Sequence, residues 1–160
     1  MVFKRMEVCS FAAMKKGFTL VELLVVISVI GVLATLVLVS FGPVQKQARD
    51  TQRKSDIRQY QNSLENFANR QDGLFPSRTT AVDASGLCAT LGIAGTCPTD
   101  PKAPDTLYRY ISDGTGTPNN DASEYVLWTS LENVSSYWVV CSTGKVGLSV
   151  AVPGSSDCPI

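Results

Sequence analysis

The chain has 160 residues, 14 basic and 14 acidic, with five cysteines and no histidine. Without histidine there is no Ser-His-Asp triad and no histidine-based zinc site. The balanced charge also offers no basic stripe of the kind a nucleic-acid-binding domain presents. Once an apolar membrane segment is set aside, the length leaves room for one domain of about 100 residues.

In chain order, Met1 to Gly17 carries Lys4, Arg5, Lys15 and Lys16 against Glu7. From Phe18 to Phe41 the sequence is apolar with Glu22 as its only charge. As a helix this run spans roughly 36 Å, enough to cross a bilayer. The preceding basic residues put its start in the cytoplasm and everything after Phe41 outside. A secretory signal would have a shorter apolar core and an A-x-A cleavage site, and none stands clearly here, so the segment reads as retained. Cys9 precedes the run, while Cys88, Cys97, Cys141 and Cys158 follow it. An even set on the exported side points to disulfides in an oxidising compartment, with three pairings open.

Gly42 and Pro43 predict a kink or local melting. Residues 42–73 then read as an amphipathic helix, with Ile57, Tyr60, Leu64 and Phe67 on one apolar stripe, ended by Asp72 and Gly73 with Pro76 just beyond. The basic residues Lys46, Arg49, Arg53, Lys54 and Arg58 read as a solvated face beside the membrane or a contact to neighbouring subunits. Residues 74–160 form the exported domain. Its first part, Ser77 to Asp105, is mostly loop with a short helix between Asp83 and Leu91 stopped by Gly92. Strand composition follows in Thr106–Ser112 and Ser123–Leu131, then in SYWVVCS and KVGLSVAV on either side of a two-residue turn, Thr143–Gly144. These segments predict an antiparallel meander of about four strands.

An acidic side chain is among the costliest groups to place in a bilayer, which makes Glu22 a functional residue by default. The stretch Lys15, Lys16, Gly17, Phe18, Thr19, Leu20, Val21, Glu22, running into an apolar helix, resembles the N-terminal signature of type IV pilins and type II secretion pseudopilins. The resemblance implies an α+β pilin-like fold: a long N-terminal helix, transmembrane then amphipathic, packed on a small antiparallel sheet. It implies a leader at residues 1–17, removed by prepilin peptidase between Gly17 and Phe18, and N-methylation of Phe18. Met1, Met6 and Met14 are each compatible starts. It further implies that Glu22 pairs with the N-terminal amine of a neighbouring subunit, two charges that offset each other in low dielectric.

The resulting expectation is a structural, non-catalytic subunit with no cofactor and no metal, inserted in the inner membrane as a single-pass precursor. Inner-membrane assembly machinery would polymerise it with copies of itself and other pilins into an extracellular pilus or an envelope pseudopilus. A secretion pseudopilin and a DNA-uptake pilin are the alternatives within the class, and an enzyme or sugar-binding domain on a signal anchor is the alternative outside it. The favoured cysteine pairing is Cys88 with Cys97 and Cys141 with Cys158, the latter resembling the C-terminal disulfide loop of many pilins. CPTDP, before the first strand, is similar to the Asp-Pro turn of major pseudopilins, with Lys102 where those carry an aromatic. Some pseudopilins bind calcium in a loop, and Asp113, Asn119, Asn120, Asp121 and Glu124 are oxygen donors in a comparable place. Their composition is equally that of an ordinary turn.

Overall fold

The computed structural model describes residues 17–160, with backbone alone at residues 36–40. Residues 1–16, including Cys9, Lys15 and Lys16 and most of the expected leader, lie outside the described residues. The chain divides into two compact units between Phe41 and Gly42.

One helix, α1, runs from Leu20 to Ala68. It passes through Pro43 without a break, so the melting expected there does not occur. Proline removes a single i→i−4 hydrogen bond, and the flanking turns keep theirs. The described apolar side chains from Leu20 to Leu33 are all exposed, from 81% at Leu20 to 55% at Leu33. Among the described residues no helix is long and apolar enough to cross a membrane. The described side chains of the apolar run stop at Thr35 and resume only at Phe41.

After Gly42 the stripe is buried: Ile57, Tyr60 and Leu64 completely, Phe67 nearly so. The helix closes when the Gly73 N–H donates to the Ala68 carbonyl at 2.9 Å. That closure turns through positive φ at Asp72 (52°) and Gly73 (85°), which a glycine adopts at little steric cost.

Five strands, β1 (Val82–Asp83), β2 (Arg109–Ser112), β3 (Tyr125–Ser130), β4 (Tyr137–Cys141) and β5 (Val146–Ser149), form one antiparallel meander in sequence order. The sheet has one strand more than the four expected, because β1 is only two residues long and too short to show alternation. A 3-10 turn (Ala84–Leu87) and α2 (Cys88–Leu91) follow β1; the Asp83 carboxylate accepts from the Ser85 N–H at 2.9 Å, and Gly92 ends the segment at φ 69°. The last hairpin departs from expectation. The Cys141 N–H donates to the Lys145 carbonyl and the Gly144 N–H to the Cys141 carbonyl, both at 3.0 Å, so the loop is Ser142–Gly144 rather than two residues. Gly144 takes φ 81°, the left-handed position such a three-residue loop requires.

Period-two alternation separates two clusters. Tyr108, Tyr110, Tyr125, Leu127 and Val140 pack with the α1 stripe. On the opposite face Ile111, Val126, Trp128, Val139 and Cys141 are covered by Cys158 and Ile160. Leu64 sits fully buried in the first cluster. Leu64→Ala is expected to lower stability by about 2 to 5 kcal/mol through lost burial and the cavity left behind. Gln52→Ala, on the exposed face, is expected to change it by less than about 0.5 kcal/mol, both read from urea midpoints.

Candidate functional site

Gly17, Phe18 and Thr19 precede the first turn of α1, and Phe18 is exposed. Thr19 and Glu22 close a reciprocal capping box. The Thr19 N–H and hydroxyl both donate to Glu22 Oε2, at 3.0 and 2.8 Å, while the Glu22 N–H donates to Thr19 Oγ1 at 3.3 Å. The role of Thr19 is not among the expectations above, though its signal is plain: a threonine three residues before a glutamate at the head of an apolar run. Among the described residues no cation lies within ion-pair distance of Glu22. Among them its carboxylate is held only by a hydroxyl and a backbone N–H of its own helix turn.

The second polar assembly lies further along α1. The stripe that sequence periodicity begins at Ile57 extends two positions earlier, to Arg53 and Asp50, both buried. Arg53 Nε and Nη2 bind the two oxygens of Asp100 at 2.7 and 2.9 Å. Its Nη1 meets Asp50 Oδ1 at 2.9 Å and Glu132 Oε1 at 2.7 Å. Glu132 is also held by Arg49 Nε and Nη2, at 2.8 and 2.6 Å, and by Lys102 Nζ at 3.0 Å. Asp50 in turn accepts the N–H groups of Glu132 and Asn133, each at 2.9 Å. The expected solvated basic face is corrected accordingly: Arg53 is wholly buried and Arg49 is ion-paired, while Lys46 and Arg58 remain exposed. Lys102, standing where pseudopilins have an aromatic, supplies a charge to the same cluster.

Burial opposes the charge on Arg53, but hydrogen bonds to Asp100, Glu132 and Asp50 outweigh it and hold the guanidinium above its ordinary value. Burial likewise opposes ionisation of Asp100. Arg53, Thr106 and the Lys102 N–H prevail and hold its carboxyl below the usual range. Glu132 is pulled well below that range, first by Arg49 and then, against burial, by Lys102 and Arg53.

Two disulfides, Cys88–Cys97 and Cys141–Cys158, have Cα separations of 6.1 and 5.8 Å. The first lies beside the Tyr60 hydroxyl, which donates to the Pro98 carbonyl at 2.7 Å. In the 113–124 loop, Asp113 accepts from the Ser123 N–H and hydroxyl and from the Glu124 N–H, and Asp121 binds Thr115. These carboxylates are occupied in shaping the turn. Among the described residues there is no cluster of three or more His, Cys, Asp or Glu that could hold a metal ion.

A long helix headed by a capped carboxylate in an exposed apolar stretch, with its later turns packed on a small antiparallel meander, defines a pilin-like α+β subunit. The prokaryotic N-terminal methylation motif matches residues 13–38, a span that contains Gly17, Phe18 and Glu22. Over 67 residues the chain is 28% identical to the type IV major pilin protein PilA of Myxococcus xanthus (strain DK1622). That match covers 42% of this chain and 30% of the relative, so the chain spans less than a third of the relative's length. No solved structure matches the chain. Motif, relative and architecture agree in their likeness to type IV pilins.

Two outcomes test the charge cluster. Asp100→Ala leaves Arg53 with Asp50 and Glu132 only, and is expected to cost about 3 kcal/mol in urea unfolding, the lower end for a broken buried pair. Because the Asp100 and Glu132 carboxyls sit below their unfolded values of about 3.9 and 4.3, their contribution is complete above about pH 5. As pH falls below that, the unfolded chain binds protons first and stability declines toward the depressed native values. A thermal melt series from pH 7 to pH 3 should show this fall, with a shallower slope in Glu132→Gln.

Proposed function

We propose that this protein is a structural subunit of a type IV pilus-like filament, made as a membrane-anchored precursor and polymerised through the apolar half of α1. In this reading prepilin peptidase cuts between Gly17 and Phe18 on the cytoplasmic side, and the new N-terminus at Phe18 is methylated. The apolar run from Phe18 to Phe41 holds the subunit in the inner membrane until assembly machinery extracts it. Equivalent helices of neighbouring subunits then bury it, and residues 74–160 form the filament's outer surface. Its role is assembly, with no catalytic step.

The observation that carries this reading is the lone carboxylate on an otherwise apolar, exposed helix segment. Thr19 engages Glu22 by hydrogen bonding, but it does not neutralise its charge. A cation brought by a neighbour does. The amine of Phe18 on the next subunit is the group that the prepilin-type signature supplies at that level, and pairing fixes the axial register of adjacent helices. The capping box keeps the carboxylate tied to the helix axis until that partner arrives.

A pseudopilin of a secretion system is the reading kept beside it, favoured by the CPTDP turn that precedes β2. A DNA-uptake pilin is the other alternative within the class; of the basic residues on α1, Arg49 and Arg53 are engaged by carboxylates while Lys46 and Arg58 are exposed. Shearing intact cells separates pilus from pseudopilus: a pilus subunit is recovered in the sheared fraction, a pseudopilin stays with the envelope.

Glu22→Ala is expected to leave membrane insertion and peptidase cleavage intact, since neither needs a second subunit. Filaments should fall to about a tenth of the wild-type number or fewer, because the neighbour's amine enters an apolar core without its partner. Counting filaments by electron microscopy, with N-terminal mass spectrometry to confirm equal processing, decides it. Wild-type numbers in the mutant would sink the pairing.

A further inference from the structure

We infer that the β5 edge of the sheet, together with the adjoining face of α1, is a docking surface for a second copy of this chain, distinct from the apolar helix of residues 18–41. The inference rests on the assembly reading above.

Among the described residues of Gly42–Ile160, the exposed large apolar side chains are Val44, Val134, Val146, Leu148, Val150 and Val152. Val152 lies apart, over the opposite face of the sheet with Trp128 and Tyr137. Val134, Val146, Leu148 and Val150 belong to the β3–β4 connection and to β5 with the residue after it. Leu148 and Val134 line a groove of about 240 Å³ whose other wall is α1, through Gln47, Thr51 and Lys54. Val44 precedes Gln47 by three positions and Thr51 by seven, which puts it on the same helix face. The apolar surface therefore continues along α1 toward the segment by which subunits are proposed to assemble. Patches of this kind mark interaction sites.

The backbone at this edge is open as well. The Cys141 N–H bonds the Lys145 carbonyl, and in an antiparallel ladder hydrogen-bonded pairs alternate, so Val139–Gly147 and Tyr137–Ser149 are the next bonded pairs. Val146 and Leu148 then direct their N–H and C=O groups away from β4, and β5 is the last strand of the sheet. An apolar strand edge with unpaired backbone groups is a ready template for another chain, and proteins that do not use such edges cover or charge them. Here the side chains at the edge are valine and leucine. The groove is smaller than the roughly 300 to 1,000 Å³ of small-molecule sites, so it suits side chains of a neighbouring surface rather than a metabolite. In a polar helical filament no twofold axis relates neighbours, so the contact is heterologous: β5 of one copy meets a different surface of the next.

Leu148→Cys tests this in the full chain. The side chain is exposed, so the folded subunit should tolerate the change, checked by mass mapping of the Cys88–Cys97 and Cys141–Cys158 bonds. Maleimide labelling of the introduced thiol is compared between intact sheared filaments and the same subunits dissociated in detergent. The expected result is at least about tenfold slower labelling in filaments, with no dimer crosslinked through two introduced thiols. Processed, correctly bonded variant that no longer forms filaments supports the inference too, since the wild-type side chain is then required for the contact. Equal labelling in filaments and subunits overturns the inference while leaving the assembly reading intact. A dimer joined by a disulfide between introduced thiols overturns the heterologous contact. Absence of wild-type filaments on cells and in the envelope overturns the assembly reading and this inference with it.

Discussion

A single guanidinium organises one side of the unit Gly42–Ile160. Arg53 occupies a buried position on the α1 stripe, where a charge is tolerated only if its donors are all engaged. Asp100 takes two of them from the loop before β2, Glu132 another from the β3–β4 connection, and Asp50 a fourth from one turn back on the helix. Two loops that are far apart in sequence are thereby pinned to the same helix turn. A buried ion cluster is weak evidence for net stability, because desolvation offsets much of the attraction. Its value here is in register: an apolar residue at position 53 could bury against the loops in several ways, whereas a forked guanidinium between three carboxylates accepts one.

That pinning bears on what each half of α1 is available to do. The later half has its stripe covered by the sheet, with Tyr108, just before β2, packed on Tyr60 and Tyr125 of β3 packed on Phe75. The earlier half presents apolar side chains that no other part of the described chain covers. A helix apolar all round is stable only when something outside it supplies the cover. The unit Gly42–Ile160, held by its charge cluster and two disulfides, does not need that cover for its own core. The two halves of one helix thus answer to different solvents.

The capping box at Thr19 and Glu22 meets a related demand at the start of α1. Every helix start leaves unpaired N–H groups, and in a bilayer these are as costly as the carboxylate itself. Thr19 and Glu22 satisfy one another's backbone, so the residue whose charge looks most out of place also closes the helix end. Among the described residues that charge has no ion-pair partner.

Much of this was legible in the sequence because the signals are local or periodic. The stripe Ile57, Tyr60, Leu64, Phe67 follows from helical spacing, the short segment stopped by Gly92 from a left-handed cap, and four of five strands from their β-branched and aromatic content. The methylation-motif match over residues 13–38 follows a pattern visible in the sequence, and the Thr19 cap was readable from its spacing. Tertiary structure alone decided the rest. Arg53 and Asp50 continue the stripe at the right intervals, yet a charge reads as solvent-facing until its partners are known, and those lie 47 residues along at Asp100 and further still at Glu132. The two-residue β1 exists only because β2 offers it a ladder, and the extra residue in the β4–β5 hairpin is set by which pairs the ladder bonds. Periodicity records which face of an element is buried; it carries no record of what that face meets, and for a charged residue the identity of the partner decides whether burial is possible at all.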